Sequence, residues 1–174
     1  AQWGDLDRQL DTLHPDAVGI SAMTAQFSDA REVIGHIRRR HEQVPRIIVG
    51  GYHASALPQE ALAAGADSVV VGEAEFALRE LLRSPAEFGP VIKARPVMDL
   101  DQLPDIAMQD IRPFVERSGG GGEKGFYVLT GRGCPYACNF CLGQEQRVPG
   151  LRFHSMDRVF GFLCRLHQTF GLDY

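Results

Sequence analysis

Three of the four cysteines in this 174-residue chain lie between positions 134 and 141, and none precedes them. Cys134, Cys138 and Cys141 have the spacing C-x3-C-x2-C. Three thiolates on one loop can hold three irons of a cubic cluster, whose full complement is four thiolates. One iron then keeps an open position, and an open metal position is where a substrate or cofactor binds. Gly131, Gly133 and Pro135 suit a tight wrap around a bulky ligand. The bland alternative is a structural zinc site with His154 as fourth ligand. Zinc favours short-spaced pairs separated by a longer stretch, whereas here one compact triplet follows an apolar run. The fourth cysteine, Cys164, stands alone in a helical pattern and reads as a small buried residue. Clustered thiols without partners elsewhere point to a metal site in a reducing, cytoplasmic compartment.

The rest of the chain has to position that loop. It carries a formal net charge of −4, with 44% hydrophobic and 23% charged residues, which suits a folded protein. A mildly acidic chain is a poor electrostatic match for nucleic acid. No apolar run approaches the roughly 20 residues of a membrane-spanning helix. Four cysteines are too few for a disulfide-stapled secreted scaffold of this size. The chain starts Ala1-Gln2-Trp3-Gly4 and stops where a strand is expected to follow a helix. It reads as a fragment of a longer protein.

Strand and helix signals alternate over residues 14–82. Ala17–Ser21, Arg46–Val49 and Ser68–Val71 are short apolar runs typical of buried strands. Asp5–Leu13, a helix capped by Ser28, Pro58–Ala64 and Glu75–Leu82 are the helices. Arg38-Arg39-Arg40-His41 reads as a solvated helix end, where positive charge suits the dipole. Val91-Ile92 adds a short edge strand. This rhythm predicts an α/β fold with a doubly wound parallel sheet of the Rossmann/flavodoxin-like type over residues 1–94. Residues 95–124, punctuated by Pro96, Pro104 and Pro113 and by Gly119–Gly122, read as a linker. Residues 125–174 read as a strand (Phe126–Thr130), the cysteine loop and a helix capped by Ser155, with Val159, Leu163, Leu166 and Phe170 on one face.

Thr130-Gly131-Arg132-Gly133-Cys134-Pro135-Tyr136-Ala137-Cys138-Asn139-Phe140-Cys141 closely resembles the cluster loop of radical S-adenosylmethionine (radical SAM) enzymes. The resemblance implies a [4Fe-4S] cluster on Cys134, Cys138 and Cys141, with S-adenosylmethionine chelated at the open iron. It implies reductive cleavage to a 5'-deoxyadenosyl radical, with Phe140 near the adenine. It also implies that Phe126–Thr130 is the first strand of a partial α/β barrel, and that the electron comes from a reductant such as flavodoxin or ferredoxin. Arg152 and Ser155 resemble an R-x-x-S entry to the first barrel helix, a structural feature.

Three loops follow strand carboxyl ends, where open α/β sheets bind ligands: Ser21-Ala22-Met23-Thr24, Gly50-Gly51-Tyr52-His53 and Gly72-Glu73-Ala74-Glu75. Each alone reads as tight turning. Together with Gly65-Ala66-Asp67 they resemble the cobalamin-binding domain found ahead of many radical SAM domains, as does the connecting phrase Asp99-Leu100-Asp101-Gln102-Leu103-Pro104. The resemblance implies that these loop and Gly-Ala-Asp positions line the slot for the nucleotide tail of cobalamin, with Ser21, Gly50, Gly51, Gly72 and Glu73 as its contacts. Glu73 and Glu75 suit a helix N-terminus rather than an acid/base pair. No Asp-x-His-x-x-Gly string, the usual source of a lower cobalt ligand, occurs here. Neither His14 nor His53 is assigned that role, and His53 reads as a loop residue.

The implied function is a cobalamin-dependent radical SAM enzyme, with the cofactor performing methyl transfer, ring formation or rearrangement on a small-molecule substrate. In the methylating case cobalamin carries the methyl group. The competing reading is a cofactor-binding module whose cysteines form an electron relay or a zinc site, without radical chemistry.

Overall fold

A computed structural model of the chain describes residues 3–40, 45–117, 125–136, 138, 139, 141 and 150–172. The chain divides into two compact units, one built on Ala1–Pro96 with Asn139–Gln146, the other on Val97–Cys138 with Arg147–Tyr174.

In the first unit the chain runs α1 (Gly4–Leu13), β1 (Ala17–Ser21), α2 (Phe27–Arg40), β2 (Arg46–Gly50), α3 (Gly51–Ala56), α4 (Pro58–Ala63), β3 (Ser68–Val71), α5 (Glu75–Arg83) and β4 (Val91–Lys93). The four strands form a parallel sheet in the order β1-β2-β3-β4, with Ser21 opposite Gly50 and Val71 opposite Lys93 in the ladder. Successive strand residues point to opposite faces. Ile47, Val49 and Val69 thus meet Ile34 and Ile37 of α2 and Ala54 and Ala61 of α3 and α4 in one core. Ile48, Val70 and Ile92 meet Leu81 of α5 in a second core. Helices cover both faces of a parallel sheet, which explains the near-continuous apolar runs of the strands.

The arginine run at the end of α2 differs from its sequence reading. Arg38 donates to the carbonyl of Gly65 (3.1 and 2.7 Å) and pairs with Asp67 at 2.7 Å. Arg40 pairs with Asp7 and Asp11 of α1 (3.1 and 3.3 Å). These residues tie α2 to its neighbours rather than standing free in solvent.

The second unit holds α6 (Met108–Arg117), β5 (Gly131–Arg132), β6 (Arg152–Phe153) and α7 (Met156–Phe170). α6 lies where the sequence suggested a linker without periodic structure. Its Pro113 removes one helical hydrogen bond. Ile111 and Val115 compensate by burial against Leu166 and Leu172. Residues 126–130 are not a strand. Phe126 and Val128 pack into that same core, while Tyr127 and Leu129 are 98% and 79% exposed. The period-2 alternation is present, but no strand is paired with these residues among those described. The strand that forms is β5, antiparallel to β6.

Residues 97–105 dock onto the start of α7. Leu100 and Leu103 are buried, and Val97 gives its carbonyl to Arg152. The carbonyls of Asp101 and Leu103 accept from Arg158, and Asp105 pairs with Arg158 and Arg165. Asp101 accepts from the backbone N–H of Ser155 and lies 3.1 Å from Nδ1 of His154. Ser155 caps α7 as expected, its hydroxyl accepting from the N–H of Arg158 at 3.3 Å. Replacing it by Ala is expected to cost about 1 kcal/mol in chemical denaturation.

Hydrogen bonds from the Ser155 side chain and backbone, then from His154, and the nearby Arg158 charge, hold the Asp101 carboxyl below its ordinary range despite some desolvation. A carboxyl depressed in the folded state stabilises above its unfolded pKa, and that contribution is lost as pH falls through the folded value. The melting advantage of wild type over Asp101→Asn should therefore be constant above the ordinary carboxylate range. It should disappear as a pH series of thermal melts descends below that range.

Candidate functional site

The carboxyl ends of β1, β2 and β3 carry the five residues the sequence singled out there. Ser21 ends β1, Gly50 ends β2 opposite it, and Gly72-Glu73 follow β3. Ser21 and Gly72 are exposed, while Gly50, Gly51 and Glu73 are half-buried. Gly51 has φ +89°, and a Cβ there would lie 2.7 Å from Ser21 Oγ and 2.9 Å from both N and O of Ala22. Only glycine allows that approach in that conformation. The backbone then stitches the two ends together: Ala22 N donates to Gly50 O (3.4 Å), and His53 N donates to Ala22 O (3.2 Å). On the other side Gly72 has φ +91°, and its N–H donates to Ser55 Oγ at 3.0 Å.

Small residues and exposed backbone thus form one edge, flanked by the large exposed side chains of Met23 and Tyr52 (53% and 59%).

Two sequence expectations are corrected here. Gly65-Ala66-Asp67 does not line this edge. Asp67 accepts from Ile47 N at 2.6 Å and donates its own N–H to Ile47 O, at the amino end of the sheet. Gly65 turns there with φ +107°. The motif joins β2 to β3 and is structural. His53 is not a loop residue but lies in α3, 4% exposed, its ring stacked on Phe27 with centroids 3.7 Å apart. The Gly-Gly pair had masked the short helix that follows it. His14 is exposed and closes α1 in a left-handed conformation, φ 44°.

In the second unit Gly131 and Gly133 serve close backbone approach. A Cβ on Gly131 would lie 2.6 Å from the Phe153 ring and 2.8 Å from Arg152 O. One on Gly133 would lie 2.3 Å from Gly150 O. These glycines seat the start of the cysteine loop against residues 150–153, and no wrap around a ligand is needed to explain them. Cys134 and Cys138 of this unit are free and exposed, as is Cys141, which lies in the segment grouped with the first unit. Among the described residues no group of three or more His, Cys, Asp or Glu side chains is gathered closely enough to hold a metal. The donor set itself, three free thiols on one loop, suits an iron–sulfur cluster. Phe140 lies outside the described residues. His154 faces Asp101 rather than a metal site, and Cys164 is half-buried rather than a core residue. No helix among the described residues is long and apolar enough to cross a membrane.

Comparison with known proteins bears on the first unit most directly. Residues 2–82 match the model of the B12 binding domain. An uncharacterized methyltransferase of Pyrococcus horikoshii is 30% identical over an alignment covering 98% of this chain and 40% of that protein. A bacteriochlorophyllide d C-8(2)-methyltransferase of Chlorobaculum tepidum is 32% identical, covering 83% of this chain and 33% of that protein. An uncharacterized protein of Methanopyrus kandleri is 43% identical over 44% of this chain and 13% of its own length. The chain therefore spans well under half of the relatives it matches.

Proposed function

We propose that the chain, whose residues 2–82 match the B12 binding domain model and which aligns with methyltransferases, serves a cobalamin-dependent radical SAM methyltransferase. The observation that carries this reading is the glycine-built edge at the carboxyl ends of β1–β3, inside the segment that matches the domain. Ser21, Gly50, Gly51, Gly72 and Glu73 hold the cobalamin tail there. Cys134, Cys138 and Cys141 hold a [4Fe-4S] cluster with an open iron for S-adenosylmethionine, and Phe140 contacts its adenine. When bound, cobalamin supplies a cobalt centre for methyl transfer, and the cluster supplies the electron that cleaves S-adenosylmethionine.

The chain's own residues do the rest. The Gly51 approach to Ala22 holds the ends of β1 and β2 together beneath that edge. The exposed thiols are accessible for cluster loading. Chain segments beyond those described would have to keep water and oxygen from a reactive intermediate. The substrate is a small molecule, the electron donor is a flavodoxin or ferredoxin, and the compartment is reducing.

Titration of the chain with hydroxocobalamin tests the first half of this reading. One cobalamin bound per chain is the expected result, and no binding would refute it. The competing reading, a cofactor-binding module with a zinc or relay site, predicts cobalamin binding together with zinc in place of iron, or iron without S-adenosylmethionine cleavage.

A further inference from the structure

α3 is six residues long, yet two of its side chains reach the loops on either side of it. Ser55 accepts the N–H of Gly72, in the loop after β3, at 3.0 Å. His53 reaches the other way: its Nδ1 lies 3.4 Å from Thr24 Oγ1, in the loop after β1, and its ring stacks on Phe27. The helix itself starts at Gly51, which is packed on Ala22. One element thus touches all three loops of the carboxyl edge. His53 is 4% exposed, and its Nε2 has no hydrogen-bond partner although Glu60 Oε2 stands 3.4 Å away.

We propose that His53 and Ser55 are positioning residues of the cobalamin site, which hold the loops after β1 and β3 at the spacing the nucleotide tail requires. This rests on the cobalamin reading above. Neither residue is assigned a contact with the cofactor. Their effect passes through Thr24 and Gly72.

The test is hydroxocobalamin binding by the full chain, with the visible spectrum of the bound cofactor and a thermal melt for each variant. His53→Phe keeps the ring stack and removes the ring nitrogens. Ser55→Ala removes only the acceptor for Gly72. Each variant is expected to melt near wild type while binding about fivefold more weakly, the equivalent of one net hydrogen bond. A shifted cobalamin spectrum should accompany the weaker binding. Ser55→Thr should restore affinity. The inference is overturned if wild type binds and both variants bind equally well, or if affinity falls only in step with melting temperature. Thr24→Val guards against a misfolded His53 variant: Thr24 is exposed, and its loss should reproduce the His53→Phe effect. Failure of wild type itself to bind refutes the cobalamin reading, and this inference with it.

Discussion

Gly51→Ala is expected to destabilise the first unit by about 2–4 kcal/mol and to abolish hydroxocobalamin binding. Two independent effects add. The residue occupies φ +89°, where an L side chain is strained. The new methyl group would also lie 2.9 Å from both N and O of Ala22. Those are backbone atoms of the segment joining β1 to α2, so they cannot rotate away as a flexible side chain would. Relief would have to separate the ends of β1 and β2, breaking the Ala22–Gly50 and His53–Ala22 hydrogen bonds that shape the edge. Denaturant unfolding measures the first effect and cofactor titration the second. An alanine variant with unchanged midpoint and affinity would mean that the edge is not built as described. Gly50→Ala is the control: its Cβ would meet only Val70 O at 3.7 Å, an ordinary contact, so its fold should survive.

Cys138→Ala should leave the fold intact and remove most of the iron. The side chain is exposed, so its loss should change stability by no more than about 0.5 kcal/mol. A cubane held by three protein thiolates depends on each of them, since a fourth ligand is already absent. After anaerobic iron–sulfide reconstitution the variant should hold a small fraction of the wild-type iron. The full-length protein carrying it should not cleave S-adenosylmethionine under reduction. Undiminished cleavage would exclude the triplet as the catalytic cluster site.

The strands of the first unit were legible because parallel strands covered on both faces become short apolar runs, and Arg46–Val49 and Ser68–Val71 are such runs. The helix over 108–117 was obscured by Pro113, whose lost hydrogen bond is outweighed by burial of Ile111 and Val115. Residues 126–130 showed the alternation of a strand, but alternation reports which face is buried, not whether the backbone finds a partner. The five residues expected at the carboxyl edge do lie at that edge. For Gly65-Ala66-Asp67 the resemblance supplies residues without saying which end of a strand they occupy. Hydrogen bonding to Ile47 assigns that motif to the other end. His53 and Ser55 were hidden by the Gly-Gly pair before them, which reads as a turn although Gly51 begins a helix. Asp101 gave no signal on its own. Its role depends on Ser155, which is 54 residues away in sequence.

The cysteine triplet is where the functional reading is most exposed to refutation, and metal analysis of the wild-type chain tests it directly. After anaerobic reconstitution with iron and sulfide the account predicts about four irons per chain, with a brown chromophore whose reduced signal changes on addition of S-adenosylmethionine. A colourless product containing zinc and no iron would contradict it.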